Sequence, residues 1–456
     1  MKNIKVIFLL CCALWWFSCE KPLELQPTES LPTKEALSDM PAVRTALYGV
    51  YHTMQSGSYG QQLYIAPEAE GNLVYYAKLD PVFDSNYSGY NYTPSKIERD
   101  IWNKSYAMIF QTNNILNNID RLKDPVGEKN QIKGEALALR ALSYFNLVRF
   151  FAEPYTAGNP AADPGVPIVL GPGNNEPARN TVAEVYDRII ADLQAAKAIL
   201  GDADRFRFSA NGAEALLARV YLYKGDMGAA ESAASTLLSS GKYALADDVV
   251  ALFATTGNSE EIFTLKFEAS ENAAGWSLAA FYNPPAGARG LLAVSSDLIS
   301  LYEAGDTRLN LIYEQSGVKY QSKFKSQDGV TGLYSPKLLR LAEMYLIRAE
   351  ARFQQRPDDP GVLDDLNMLR RKRGATEWSS LPNGILDILH ERQRELAFEG
   401  HTIFDYWRTG TDMVRTDPNH VDPKAVPASD KCKILHPIPQ SEMNANKNMV
   451  QNGCWR

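Results

Sequence analysis

The densest run of residues able to do chemistry lies near the C-terminus. Between Glu391 and Arg408 stand four glutamates or aspartates, three arginines and His401. Acid, base and cation at such spacing invite an enzymatic reading, and the details argue against one. His390-Glu391 could open a zinc-protease helix, but Arg394 occupies the place where the second histidine ligand is required one turn on, and a guanidinium does not bind a metal. Glu391 and Arg394 are instead spaced to pair along one helix face, and Glu395 and Glu399 are spaced to meet Arg392. We read the run as structural, partly buried ion pairing, and leave it out of the binding site. No G-x-S-x-G and no phosphate-binding loop occurs. Gly171-Pro172-Gly173 is not a dinucleotide fingerprint, because Glu176 replaces the third glycine. The five histidines are scattered at 52, 390, 401, 420 and 436, without metal-ligand spacing. No catalytic residue, metal site or cofactor is expected.

A second kind of chemistry is binding through flat rings. Tyr59, Tyr64, Tyr75, Tyr76, Tyr87, Tyr90 and Tyr92 crowd a segment of about 55–96 rich in Gly, Asn and Asp, with Asn72 among them. Trp276, Phe281, Tyr282, Asn283 and Arg289 crowd another of about 269–291, rich in Gly and Pro. An aromatic face stacks on the apolar C–H face of a sugar, while Asn and Arg bond its hydroxyls. The candidate ligand contacts are therefore Trp276, Tyr282, Asn283, Arg289, Tyr75, Tyr76, Asn72 and Tyr59, with Trp276 first. Peptides would use the same residue types. The alternative is that most of these rings are core or interface anchors.

The elements that must carry these loops are helical. Apolar residues recur at steps of three and four from 40 to 55, 97 to 122, 129 to 151 and 181 to 200. Thr181 and Glu184 make a capping box. Residues 209–245 form two helices about a Gly225-Asp226 turn, with small residues on the facing sides, and 338–373 form a similar pair. Paired helices of this length resemble tetratricopeptide units, which bury their apolar faces by stacking. Minor strands are expected at 166–170, 261–267 and 432–438. The length alone would suggest about three domains.

The N-terminus reads as an export signal. Lys2 and Lys5 precede an apolar stretch from Ile7 to Phe17, too short to span a bilayer, then Ser18 and Cys19. That junction resembles a bacterial lipoprotein cleavage site, so 1–18 is the expected signal peptide, Cys19 the lipidated residue and 19–33 a linker; the alternative is a plain secreted protein cut near Cys19. Cys432 and Cys454 then remain, either joined in a disulfide that ties down the tail or reduced and buried. A net charge of −7 without a basic run disfavours nucleic-acid binding and gives no attraction to anionic lipid.

Several motifs together carry a resemblance. Glu391-Arg392-Gln393-Arg394-Glu395-Leu396-Ala397-Phe398-Glu399-Gly400-His401, continued by Phe404-Asp405-Tyr406-Trp407-Arg408, resembles the C-terminal signature of SusD/RagB proteins. So do Pro437-Ile438-Pro439 followed by Glu442, Asn444, Asn448, Gln451 and Asn452, the arginine-rich Leu369 to Gly374, the aromatic helix Leu139 to Phe151, and Cys19. His401 stands where that signature commonly has Arg. The resemblance implies a mainly α, SusD-like fold over 34–456: a superhelix of four tetratricopeptide-like helix pairs (repeats near 97–151, 181–245 and 337–408), an irregular loop-rich half and minor β-hairpins. It further implies a non-enzymatic, lipid-anchored protein of the outer membrane surface, held by outer-membrane lipid through Cys19. Such a protein captures oligosaccharide, or peptide in the RagB branch, for a SusC-like TonB-dependent transporter. Two readings compete: a helical-repeat envelope scaffold without a nutrient role, and a glycan hydrolase with two carboxylates about 5–10 Å apart across a cleft.

Overall fold

The computed structural model describes residues 36–56, 60–78, 87–95, 99–171, 176–201, 204–271, 277–284 and 289–455. The expected signal peptide 1–18, Cys19 and the expected linker 19–33 lie outside the described residues.

Helix α1 (Met40–Gln55) starts where Asp39 accepts a hydrogen bond from the Ala42 amide and a proline occupies the first turn. Its Met40, Val43, Leu47 and Val50 are buried. α2 (Gln62–Ala69) is short and almost wholly buried. Strand β1 (Val74–Tyr76) follows. α3 (Arg99–Ile119) and α4 (Val126–Phe151) come next, then α5 (Val182–Ile199), whose Thr181–Glu184 capping box forms as its sequence dictates. α6 (Ala210–Lys224) ends on Gly225, left-handed at φ 79°. α7 (Met227–Leu238) begins at once, capped by Asp226, and buries Ala230, Ala233 and Ala234.

A strand-bearing stretch then interrupts the helices. It holds β2 (Glu261–Thr264), β3 (Leu292–Val294), β4 (Ile312–Gln315), β5 (Val318–Gln321) and β6 (Lys337–Arg340). Helices resume with α8 (Leu341–Gln355), α9 (Pro360–Lys372), α10 (Ile385–Leu396) and α11 (Thr402–Thr409).

From α3 to α9 each helix packs on the next, and α8 also packs on α10. The fold is mainly α with small two-stranded sheets, as the helical periodicity and the family resemblance both imply. The α6–α7 and α8–α9 pairs pack as antiparallel neighbours across short turns. α8 also packs against α7, about a hundred residues earlier in the chain, so the stack continues across the interruption.

All sheets among the described residues have two strands. β4 and β5 turn through Ser316 (φ 55°) and Gly317 (φ 77°), the two positive φ values that a two-residue hairpin requires. β1 pairs with β3, placing Tyr75 opposite Ala293 and Tyr76 opposite Leu292. β2 pairs with β6.

Two expected strands do not form. Residues 166–170 run extended without forming a strand. Backbone pairing stops at an isolated Pro164–Thr181 bridge and the Asn180 amide donating to the Val166 carbonyl. Beyond it, the Ile168 amide donates to Asn180 Oδ1 and the Val169 amide to the Tyr144 hydroxyl. Residues 432–438 begin as a helical turn, Lys431–Ile434. The Ile438 amide then donates to Gln451 Oε1. The sulfurs of Cys432 and Cys454 are joined, closing the tail over this turn.

Candidate functional site

The 391–408 signature is buried more completely than its sequence implies. Glu391, Arg392 and Glu395 on α10 are sealed, as are Arg308, Arg340, Arg370 and Arg373 that face them. Arg340 Nη1 donates to Glu260 Oε1 (2.9 Å) and Glu395 Oε1 (2.6 Å), while its Nε donates to Glu399 Oε2 (2.9 Å). Arg308 reaches Asp306, Glu391 and Glu395. Burial alone would raise the Glu395 carboxyl, but Arg373, Arg340 and Arg308 hold it well below the carboxylate range.

The Glu391–Arg394 pair forms at 3.0 Å. Glu395 and Glu399, however, meet Arg340 and not Arg392; Arg392 turns instead to Asp405 at 2.9 Å. Two neighbouring groups of ion pairs thus meet on α10: one joins it to the ends of β6 and α9, the other, through Arg392 and Asp405, to α11. Every carboxylate of the run is matched by a guanidinium, the arrangement of a buried framework.

Most rings of the tyrosine-rich segments also face inward. Tyr64, Tyr87, Tyr90, Tyr92 and Phe281 are buried. Three candidate ligand contacts are corrected by burial. Tyr282 is 0% exposed, its ring edge-on to Phe324 and Phe398. Asn283 is sealed, donating to the Ala279 carbonyl and accepting from the Tyr313 hydroxyl. Asn72 is 8% exposed and donates to the Val414 carbonyl. These side chains support the surface from beneath. Trp276 and Tyr59 lie outside the described residues. Tyr75, Tyr76 and Arg289 are half-exposed, with the Arg289 guanidinium 5.6 Å from the centre of the Phe281 ring.

What remains open is organised on the β1–β3 ribbon. The small Ala293 opposite Tyr75 leaves that ring uncovered by its cross-strand neighbour. The β4–β5 hairpin packs against β3 and brings half-exposed Tyr313, its ring centre 6.0 Å from that of buried Tyr320. Partial burial, then Tyr320, pushes the Tyr313 hydroxyl up to about 12. Partial burial, then Asp417 and Tyr320, raises the Tyr75 hydroxyl, so both are neutral donors near pH 7. The Lys325 ammonium stands 4.0 Å from the Tyr313 ring centre.

A loop at 413–424 fastens this ribbon. Arg415, buried, donates to the carbonyls of Glu70, Gly71 and Ser88, so one guanidinium holds both ends of the tyrosine-bearing loop. The Tyr90 hydroxyl donates to the Glu70 carbonyl as well, and its ring lies 5.2 Å from the Arg415 guanidinium. His420 Nε2 is 3.2 Å from both the Asn72 carbonyl and Ser295 Oγ. Asp417 accepts from the Ser296 amide, and Asp297 from the Thr416 amide. Both strands of the ribbon are therefore anchored to one loop.

Sequence reasoning missed Tyr313 and Tyr320, although their alternation around Ser316-Gly317 is a hairpin signal. It missed Arg415, Asp417 and His420 for a better reason: no local pattern marks a loop that acts on residues 340 positions away. Among the described residues, no group of three or more His, Cys, Asp or Glu is placed to hold a metal ion. The arrangement offers rings, hydroxyls and amides, groups suited to binding.

Two family models match the chain. One, described as SusD-like, starch-binding and associating with the outer membrane, matches residues 23–222. The SusD family model matches residues 305–455. SusD-like protein P2 of Formosa agariphila is 25% identical over 520 residues, covering 99% of each chain. Starch-binding protein SusD of Bacteroides thetaiotaomicron is 35% identical over 123 residues, which is 26% of this chain and 21% of that one. The crystal structure of a SusD superfamily protein from Bacteroides thetaiotaomicron has a TM-score of 0.85 at 29% identity, covering 91% of this chain and 99% of that one. No helix among the described residues is long and apolar enough to cross a membrane.

Proposed function

This chain belongs to the SusD/RagB family, and from that premise we propose that it captures oligosaccharide at the outer-membrane surface and passes it, unaltered, to a SusC-like TonB-dependent barrel. The observation that carries the reading is the pair of family matches, which take in both the N-terminal helices and the C-terminal signature. The site supports it: half-exposed Tyr75 and Tyr76 stand on a braced ribbon, and the dense carboxylates are locked in ion pairs. A rigid ring loses little freedom when a sugar stacks on it.

Calorimetric titration of the full chain with maltoheptaose, xylohexaose and short peptides tests the capture. We expect saturable binding of an oligosaccharide, weakened about tenfold in Tyr75→Ala, the loss of one stacking contact. Binding of peptides alone would redirect the proposal to the RagB-like branch, and breakdown of either sugar by pure protein would refute it. Delivery requires that the barrel co-purify with the chain from membranes. The anchor requires that Cys19 take up a clickable fatty acid and that Cys19→Ala not do so.

A further inference from the structure

The loop 413–424 does more than hold the ribbon. Asp417 and His420 both lie near Tyr75: the His420 ring meets the Tyr75 ring edge-on at 6.4 Å, and the Asp417 carboxylate is near enough to raise the tyrosine hydroxyl. Between them in sequence stands Asn419, exposed to solvent. Its conformation is set from one side. Asp417 Oδ1 accepts both the Asn419 amide (2.8 Å) and Asn419 Nδ2 (2.9 Å). That leaves the Asn419 Oδ1 acceptor and one Nδ2 hydrogen directed away from Asp417.

We propose that Asn419 is a second ligand-contacting residue, bonding the hydroxyl rim of a sugar ring that stacks on Tyr75. The inference rests on the oligosaccharide reading above and adds to it a polar partner drawn from a different part of the chain. The chemistry fits a neutral hexose or pentose unit. Adjacent ring hydroxyls each offer a donor and an acceptor, and a carboxamide answers both. An anionic unit is disfavoured at this position, because Asp417 stands beside Asn419. The side chain is already held, so little rotamer freedom is lost on binding. His420 itself is buried, its Nε2 directed at the Asn72 carbonyl and Ser295, so it supports the ring and does not touch ligand.

The test uses full-length wild type, Asn419→Ala and Tyr75→Ala, each titrated with maltoheptaose and xylohexaose, with thermal unfolding run in parallel. Asn419 is exposed, so Asn419→Ala should melt with the wild type. We expect its affinity to fall about tenfold for the sugar that binds, the cost of losing a directed hydrogen-bond pair. A change below about threefold in Asn419→Ala, with Tyr75→Ala clearly weakened, overturns this inference and leaves the oligosaccharide reading standing. If wild type binds neither sugar, the reading fails and this inference falls with it.

Discussion

Glu68 is a buried carboxylate that makes no ion pair among the described residues. It is fully buried on α2 and accepts from the Gly400 amide (2.9 Å), the His401 amide (3.2 Å) and the Thr402 hydroxyl (2.8 Å), with no cation in contact. Burial pushes its carboxyl up to about 7, the hydrogen bonds only partly opposing. His401 beside it is pushed well below its usual range by burial and by Arg219, and so stays neutral and gives Glu68 no charge. The sign follows from linkage. A carboxyl raised in the folded state binds more protons folded than unfolded, so its contribution is full at acid pH and is lost as pH rises toward 7. Glu68→Gln mimics the protonated form. The variant should melt close to wild type at pH 5 and above it at pH 8, by on the order of 2 kcal/mol of stability. A melting-temperature difference independent of pH would refute this.

At the scale of elements, the turn between α10 and α11 decides whether the helical stack meets α2. Phe398 (φ 72°) and Gly400 (φ 79°) both take left-handed conformations there. A Cβ at Gly400 would lie 2.4 Å from the Leu63 carbonyl oxygen. Gly400→Ala therefore combines an unfavourable φ with a backbone collision that no rotamer relieves. We expect a loss of about 2–4 kcal/mol in urea unfolding. Gly410, also left-handed at φ 66°, has nothing within 4 Å of its Cβ position, so alanine there should cost markedly less. Equal costs at the two glycines would show that close approach to α2 is not what selects Gly400.

For the whole molecule, the buried ion network sets the acid limit. Burial raises the carboxyls of Glu391, Glu395, Glu399 and Asp405, but arginines and, at Glu399, Lys323 more than offset it, and all four fall below their ordinary values. Groups depressed in the folded state contribute stability above their unfolded pKa and lose it as pH falls through the folded one. The protein should therefore unfold steeply below about pH 4. With Glu68 acting on the alkaline side, the melting temperature should peak on the weakly acid side of neutrality. A pH series of melting curves checks both limbs, and Arg340→Met should move the acid limb upward.

The sequence by itself determined what depends on neighbours along the chain. Helix positions follow from apolar residues three and four apart; the α5 cap follows from Thr181 and Glu184, which touch because they are one turn apart. The C-terminal signature was legible as family from its run of motif residues, and as framework in one pair, Glu391 with Arg394 one turn on. Only the tertiary structure decided which rings face out. Tyr282 and Tyr75 sit in equally loop-like surroundings, yet one packs on Phe324 and Phe398 and the other lies opposite Ala293 from a distant strand. Likewise Glu395 found Arg340 and not Arg392, and Cys432 found Cys454. Burial of a loop side chain is set by whatever the fold brings over it from far away, and no local period encodes that.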